Sequence, residues 1–203
     1  EVDRRAIEEM GVPSLELMEH AAQGVADVVW ELLHPAKKGY SPEVIGTAHS
    51  IAVLGRRKHR RKRADPPLQA LAEEKNHDST PWVGVLCGPG NNGGDGVAAA
   101  RLLKDMGLRV RAFLVGDRAK MTPDQRAMEE KLKAAGGALE PFDPRDQEQM
   151  LCFTCALQGG RLFGVGLCRP LEGDFRHAAL MMQDSPNSRV VSCDLPSGIH
   201  ADT

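Results

Sequence analysis

The stretch from Val83 to Met106 constrains this chain most: a short apolar run, a loop dense in glycine and asparagine, then a helical pattern. Val83-Gly84-Val85-Leu86-Cys87 reads as a buried strand, and Val97 to Met106 as a helix closed by Gly107. Between them, Gly88-Pro89-Gly90-Asn91-Asn92-Gly93 satisfies G-x-G-x-x-G. A strand, glycine turn and helix in this order open a β-α-β unit, and the remaining pattern repeats it. Leu108 to Val115 is the next strand. Thr122-Pro123-Asp124-Gln125 combines a capping residue, a first-turn proline and a glutamine in capping-box order, so a helix runs from there to about Ala135 and stops at Gly136-Gly137. A short strand follows near Ala138 to Phe142, a helix from Asp174 to Gln183, and a strand from Arg189 to Asp194 that meets Pro196-Ser197-Gly198. The expected fold is α/β, a mostly parallel sheet with helices on both faces.

Upstream, Leu15, Met18, Ala21, Ala22, Val25, Val29, Leu32 and Leu33 recur at three- and four-residue steps, which predicts an amphipathic helix begun near Ser14 after Pro13. A shorter helix over about Arg4 to Met10 precedes it and ends at Gly11. Residues 40–81 differ in character: Ile51-Ala52-Val53-Leu54 could form a short strand, but Arg56 to Arg63 is an unbroken basic block, followed by Pro66-Pro67. The segment reads as an exposed, disordered insertion in a single domain spanning 1–203. Despite that block, the chain carries 26 Lys+Arg against 28 Asp+Glu over 203 residues, so it has no bulk affinity for nucleic acid. Aromatics make up only 4%, which leaves aliphatic side chains to fill the core. No apolar run approaches the roughly 20 residues that span a bilayer, so no membrane role is expected. The five cysteines lack framework spacing and no leader pattern precedes the first helix, so the expected compartment is the cytoplasm, or an organelle.

By itself the glycine motif is a weak sign of dinucleotide binding, with Asp117 at the end of the next strand where a ribose-binding acid belongs. Gly94-Asp95-Gly96 is expected to delay the helix and put a carboxylate at its N-terminus, where it would repel a pyrophosphate. The loop instead offers two carboxamides, backbone N–H groups and one acid, a set suited to hydroxyls, a carboxamide or a monovalent cation. The plain alternative is that Asp95 only caps the helix. Asp194-Leu195-Pro196-Ser197-Gly198 places a second carboxylate and a hydroxyl at the carboxyl edge of the sheet, where open α/β folds bind ligands; the alternative there is a turn cap. Gly164-Val165-Gly166-Leu167-Cys168-Arg169 is a third glycine-bearing loop, with Arg169 available for a phosphate or simply exposed. Cys152-x-x-Cys155 has no second pair to complete a zinc site.

Asp3 to Ile7 and Leu17 to Ala22, Cys87 to Gly96 with Ala100-Arg101, Phe163 to Leu167 with Arg169-Pro170-Leu171, and Asp194 to Gly198, in this order, resemble the YjeF N-terminal domain, the NAD(P)H-hydrate epimerase family. The resemblance implies a Rossmann-like three-layer sandwich and interconversion of the R and S forms of hydrated NADH and NADPH. The hydrate would be substrate rather than cofactor, and a dehydratase would be the functional partner. It also implies a homodimer and a potassium ion. By the same resemblance Asn91, Asn92, Gly93, Gly94 and Asp95 hold substrate, as do Gly164, Val165, Gly166, Leu167, Cys168, Arg169 and Asp194. Asn92 and Ser197 hold potassium, and Asp194 and Asp95 are the candidate acid/base groups. The sequence departs from the family pattern at Gly160, where an aspartate ligand to potassium is expected, in the basic insertion, and at Thr203, where the chain stops and the sheet is expected to be truncated. Two other readings follow: a catalytically impaired binding scaffold, and an NAD-dependent oxidoreductase.

Overall fold

The computed structural model describes residues 10–34, 52–54, 82–149, 172–184 and 190–192. In chain order the elements are α1 (Ser14–Leu33), β1 (Ala52–Leu54), β2 (Trp82–Cys87), α2 (Asn91–Asp105), β3 (Arg109–Leu114), a 3₁₀ turn (Arg118–Lys120), α3 (Pro123–Ala134), β4 (Leu139–Pro141), α4 (Gly173–Asp184) and β5 (Val190–Ser192). The expected helix over Arg4 to Met10 (all but Met10 itself), the basic block, the Cys152–Cys155 pair and Gly160 lie outside the described residues.

β2, β3 and β4 form a parallel sheet in that order, with Val85 opposite Ala112 and Phe113 opposite Glu140. β2 is a nearly continuous apolar run because both faces of the sheet are covered there, whereas β3 begins with half-buried Arg109 and Arg111 before its buried Ala112-Phe113-Leu114. On one face Val83, Val85, Cys87, Ala112 and Leu114 join Met18, Ala22, Val25 and Val29 of α1, Val97 and Leu103 of α2, and Met128 and Leu132 of α3 in one core. On the other, Leu86, Phe113, Val115 and Phe142 pack against Ala178 and Met181 of α4. Alternation along a strand sends neighbouring side chains to opposite layers, and the result is the expected helix, sheet, helix sandwich.

α1 keeps its expected bounds. The Pro13 carbonyl accepts from the Glu16 amide at 2.9 Å, and the Ser14 hydroxyl donates to Asp124 at 2.5 Å, which docks the start of α1 on α3. Glu19 then ties three helices together, receiving Arg101 of α2 at 2.5 Å and Lys131 of α3 at 2.8 Å. Burial pushes the Glu19 carboxyl up, but the Lys131 hydrogen bond and the charges of Arg101 and Lys131 outweigh it and hold the group below its ordinary range.

Two elements differ from the sequence reading. The last strand does not extend the parallel sheet; β5 pairs antiparallel with β1, Val53 opposite Val191, as a separate two-stranded sheet. Val191 still enters the core shared by α1, α2 and α3. The second difference concerns α2, which starts at Asn91 rather than Val97. Tertiary packing overrides the poor helix propensity of three glycines, because those positions face elements too close for a side chain.

Candidate functional site

The β2–α2 connection is three residues long, Gly88 to Gly90, and it lies at the carboxyl end of β2. Gly90 has φ 123° and ψ −176°, a region open to glycine alone, and its carbonyl accepts the first helical bond from the Gly94 amide at 3.0 Å. The N-cap is Gly90, which has no side chain to cap the turn, and no acid lies within the first turn.

Asn-Asn-Gly-Gly-Asp-Gly acquires a physical meaning once it is wound into a helix. A Cβ at Gly93 would lie 1.7 Å from the Gly88 carbonyl oxygen, one at Gly94 would lie 2.6 Å from Met18 Sδ, and one at Gly96 would lie 3.0 Å from Cys87 Sγ. The glycines are thus the inward positions. Asn91 and Asn92 are exposed and Asp95 half-buried; Asp95 follows them by four and three residues, so the three polar groups share one helical face. This corrects the expectation about Asp95: it stands in the second turn, not at the N-terminus, and repulsion of a phosphate loses its force. A cluster of two carboxamides and one carboxylate at the sheet edge can bind hydroxyls and amides from both donor and acceptor sides.

Gln125 holds the loop from beneath. It is 0% exposed; its Oε1 accepts from the Gly90 amide at 2.9 Å and its Nε2 donates to the Gly88 carbonyl at 2.9 Å. The capping-box reading of Thr122 to Gln125 is therefore half realised. Thr122 accepts from the Gln125 amide at 3.2 Å, but the glutamine side chain leaves its own helix for the glycine loop. Nothing in the sequence marked this role, since a glutamine three residues past a threonine already has a local explanation.

Apolar contacts flank the loop among the described residues. The Val115 amide donates to the Cys87 carbonyl at 2.8 Å, prolonging the β2–β3 ladder, and Gly116 follows with φ 105°. A Cβ there would lie 2.9 Å from Phe175 Cζ and 3.5 Å from Pro89 Cδ, while one at Gly88 would lie 3.7 Å from Phe175 Cε1. The Phe175 ring, carried by α4, thus lies over the ends of both strands. Asp117, the candidate ribose acid, caps the 3₁₀ turn by accepting from the Ala119 amide at 2.8 Å.

The structure brings together Asn91, Asn92, Gly93, Gly94 and Asp95. Gly164, Val165, Gly166, Leu167, Cys168, Arg169, Asp194 and Ser197 lie outside the described residues. Among the described residues, no three His, Cys, Asp or Glu side chains gather to hold a metal ion. No described helix is long and apolar enough to cross a membrane.

In overall shape the chain is similar to the crystal structure of yeast YNL200c, with a TM-score of 0.66 at 20% identity over 97% of this chain and 67% of that one. That likeness carries the fold. In sequence it is 42% identical over 123 residues to the bifunctional NAD(P)H-hydrate repair enzyme Nnr of Thermofilum pendens, covering 59% of this chain and 23% of that protein. It is 41% identical over 120 residues to the NAD(P)H-hydrate epimerase of Rhodobacter capsulatus, 58% of this chain and 52% of the relative. For the Levilactobacillus brevis NAD(P)H-hydrate epimerase the figures are 39% over 121 residues, 60% and 53%. The matches span about half the length of the two epimerases and less of Nnr. The family model for the YjeF-related protein N-terminus matches residues 14–203, and with nearly the whole length covered the chain belongs to that family.

Proposed function

We propose that this chain interconverts the R and S forms of hydrated NADH and NADPH, acting as one domain. The observation that carries the reading is the polar face of Asn91, Asn92 and Asp95 at the carboxyl edge of a parallel sheet, in a family whose relatives bear the epimerase name. Inverting a hydroxyl-bearing carbon changes neither atom count nor oxidation state. Inversion requires one bond to that carbon to break and re-form on the other face; an acid that protonates the departing hydroxyl so it leaves as water, and a base that takes a proton from the water that returns, do this with no net redox change, which separates the reading from an oxidoreductase. Asp95 and Asp194 are the two carboxylates for that work, with Asn91, Asn92, Gly93 and Gly94 holding the substrate. The loop from Gly164 to Arg169 would contribute Gly164, Val165, Gly166, Leu167, Cys168 and Arg169 from a second side, with Arg169 suited to a phosphate. With no acid in its first turn, α2 can also accept an anionic part of the dinucleotide.

Potassium fits the donors in kind: the Asn92 amide oxygen and the Ser197 hydroxyl are neutral oxygens suited to a monovalent cation. Its role would be to fix the loop by charge, and Gly160 brings no side-chain oxygen to it. A dehydratase that removes one epimer is the matching partner class, and the bifunctional name of the Thermofilum pendens relative supports two repair activities working side by side. A homodimer in a reducing compartment such as the cytoplasm completes the proposal.

The test mixes the protein with R and S hydrated NADH, potassium and an S-specific dehydratase. Consumption of both epimers faster than spontaneous exchange supports the proposal. Loss of the S half alone contradicts it and favours the binding-scaffold reading that Gly160 suggests.

A further inference from the structure

We infer that Gln125 is a positioning residue for the substrate loop, an inference that rests on the epimerase reading above. A carboxamide buried this completely is unfavourable unless both its ends are paired. Here the acceptor end meets an N–H, that of Gly90, and the donor end meets a carbonyl, that of Gly88, each at 2.9 Å. No other side chain of this length offers a donor and an acceptor in a fixed plane without first taking up a proton. Helix stability does not account for the arrangement, since α3 already has Thr122 on the Gln125 amide and an N-terminal proline.

What Gln125 does account for is the shape of the loop. It bridges the residues on either side of Pro89 and so fixes Gly90 at its positive φ, from which α2 departs. Its Nε2 would also lie 2.7 Å from a Cβ at Gly93, so the first turn of α2 rests directly on the amide. Asn91 and Asn92 are the next residues along, and Asp95 is one turn further. The direction of α2, and hence the placement of these three groups against a ligand, depends on a residue that touches no ligand itself.

The experiment compares Gln125→Met, which removes both hydrogen bonds at similar volume, with Glu129→Gln, which disturbs a buried charge one turn along α3 that is paired with Arg118 and Lys133. Kinetics are measured below the melting temperature of both variants. Gln125→Met is expected to lower kcat/KM about 10- to 100-fold, whereas Glu129→Gln keeps kcat and KM near wild type. A double-mutant cycle adds a readout that a merely stabilising role would leave alone: in an Asn92→Ala background the Gln125→Met loss should shrink to less than about threefold. Hydrogen exchange at the Gly90 amide should quicken in Gln125→Met while amides of β2 and β3 stay protected. Wild-type kcat/KM in Gln125→Met, or losses that simply multiply with Asn92→Ala, would overturn the inference. Should the wild type show no epimerisation, the functional reading fails separately, and unchanged Gly90 exchange in Gln125→Met would then refute the positioning role on its own.

Discussion

Replacing Gly93 by alanine is the sharpest stability test of this packing. In an ordinary exposed helix the change would help, since alanine is favoured over glycine by about 0.8–1 kcal/mol. Here the new methyl would lie 1.7 Å from the Gly88 carbonyl oxygen, 2.8 Å from its carbon and 2.7 Å from Gln125 Nε2. Backbone must move on one side or the other. Overpacking of this kind costs roughly 1–3 kcal/mol or more, and displacing Gln125 forfeits two hydrogen bonds at about 1 kcal/mol each. Set against the propensity gain, Gly93→Ala should destabilise by about 2–4 kcal/mol. Two neighbours calibrate the effect. Gly94→Ala meets the flexible end of Met18 at 2.6 Å, with the Gln125 Cα only in ordinary contact at 3.5 Å, and Gly96→Ala approaches Cys87 Sγ at 3.0 Å. Urea unfolding followed by circular dichroism should therefore rank the variants Gly93→Ala least stable, Gly94→Ala next, and Gly96→Ala within about 1 kcal/mol of wild type. If Gly93→Ala proves as stable as Gly96→Ala, the helix does not begin at Asn91 and the geometry of the site is wrong.

Glu19, held below its ordinary value of 4.5, contributes stability that is present above that value and lost as pH falls through the lowered folded pKa. The urea-midpoint difference between wild type and Glu19→Gln should accordingly be larger near pH 7 than near pH 3; an equal difference at both would contradict the ion-pair account. Phe175→Ala strips a half-buried ring from Gly88 and Gly116, so thermal unfolding should show a loss of about 1–3 kcal/mol, and no loss would mean that the ring does not cover the strand ends. Arg111 grips Glu140 through Nε at 2.9 Å and Nη2 at 2.5 Å at a partly exposed site between β3 and β4. Arg111→Met should cost no more than about 1 kcal/mol in the same assay, and a larger loss would show that the pair is buried more deeply than the structure has it.

The elements most legible in the sequence are those whose pattern is set by burial alone. α1 declares its bounds through apolar spacing and Pro13, β2 through an apolar run that only a doubly covered sheet can use, and β3 through its buried half, Ala112-Phe113-Leu114. The start of α2 is not legible in the sequence because glycine is a poor helix former in isolation, while Gly93, Gly94 and Gly96 are needed where Gly88, Met18 and Cys87 approach. The polar residues of the loop were legible as a group, but their common face was not, since it depends on where the helix starts. Gln125 was hidden for the opposite reason: a plausible local role masked a long-range one. The β1–β5 pairing joins two three-residue segments far apart in sequence, and strands that short carry too little pattern to announce a partner.

The central claim is that the face formed by Asn91, Asn92 and Asp95 works on a hydrated nicotinamide. The most direct measurement starts from the pure R epimer of hydrated NADH and follows the appearance of S by chiral chromatography with wild type, Asn92→Ala and Asp95→Ala. Wild type should bring the two forms to equilibrium well ahead of buffer, and both variants should fall back toward the buffer rate. Wild type indistinguishable from buffer, or both variants as fast as wild type, would contradict the claim.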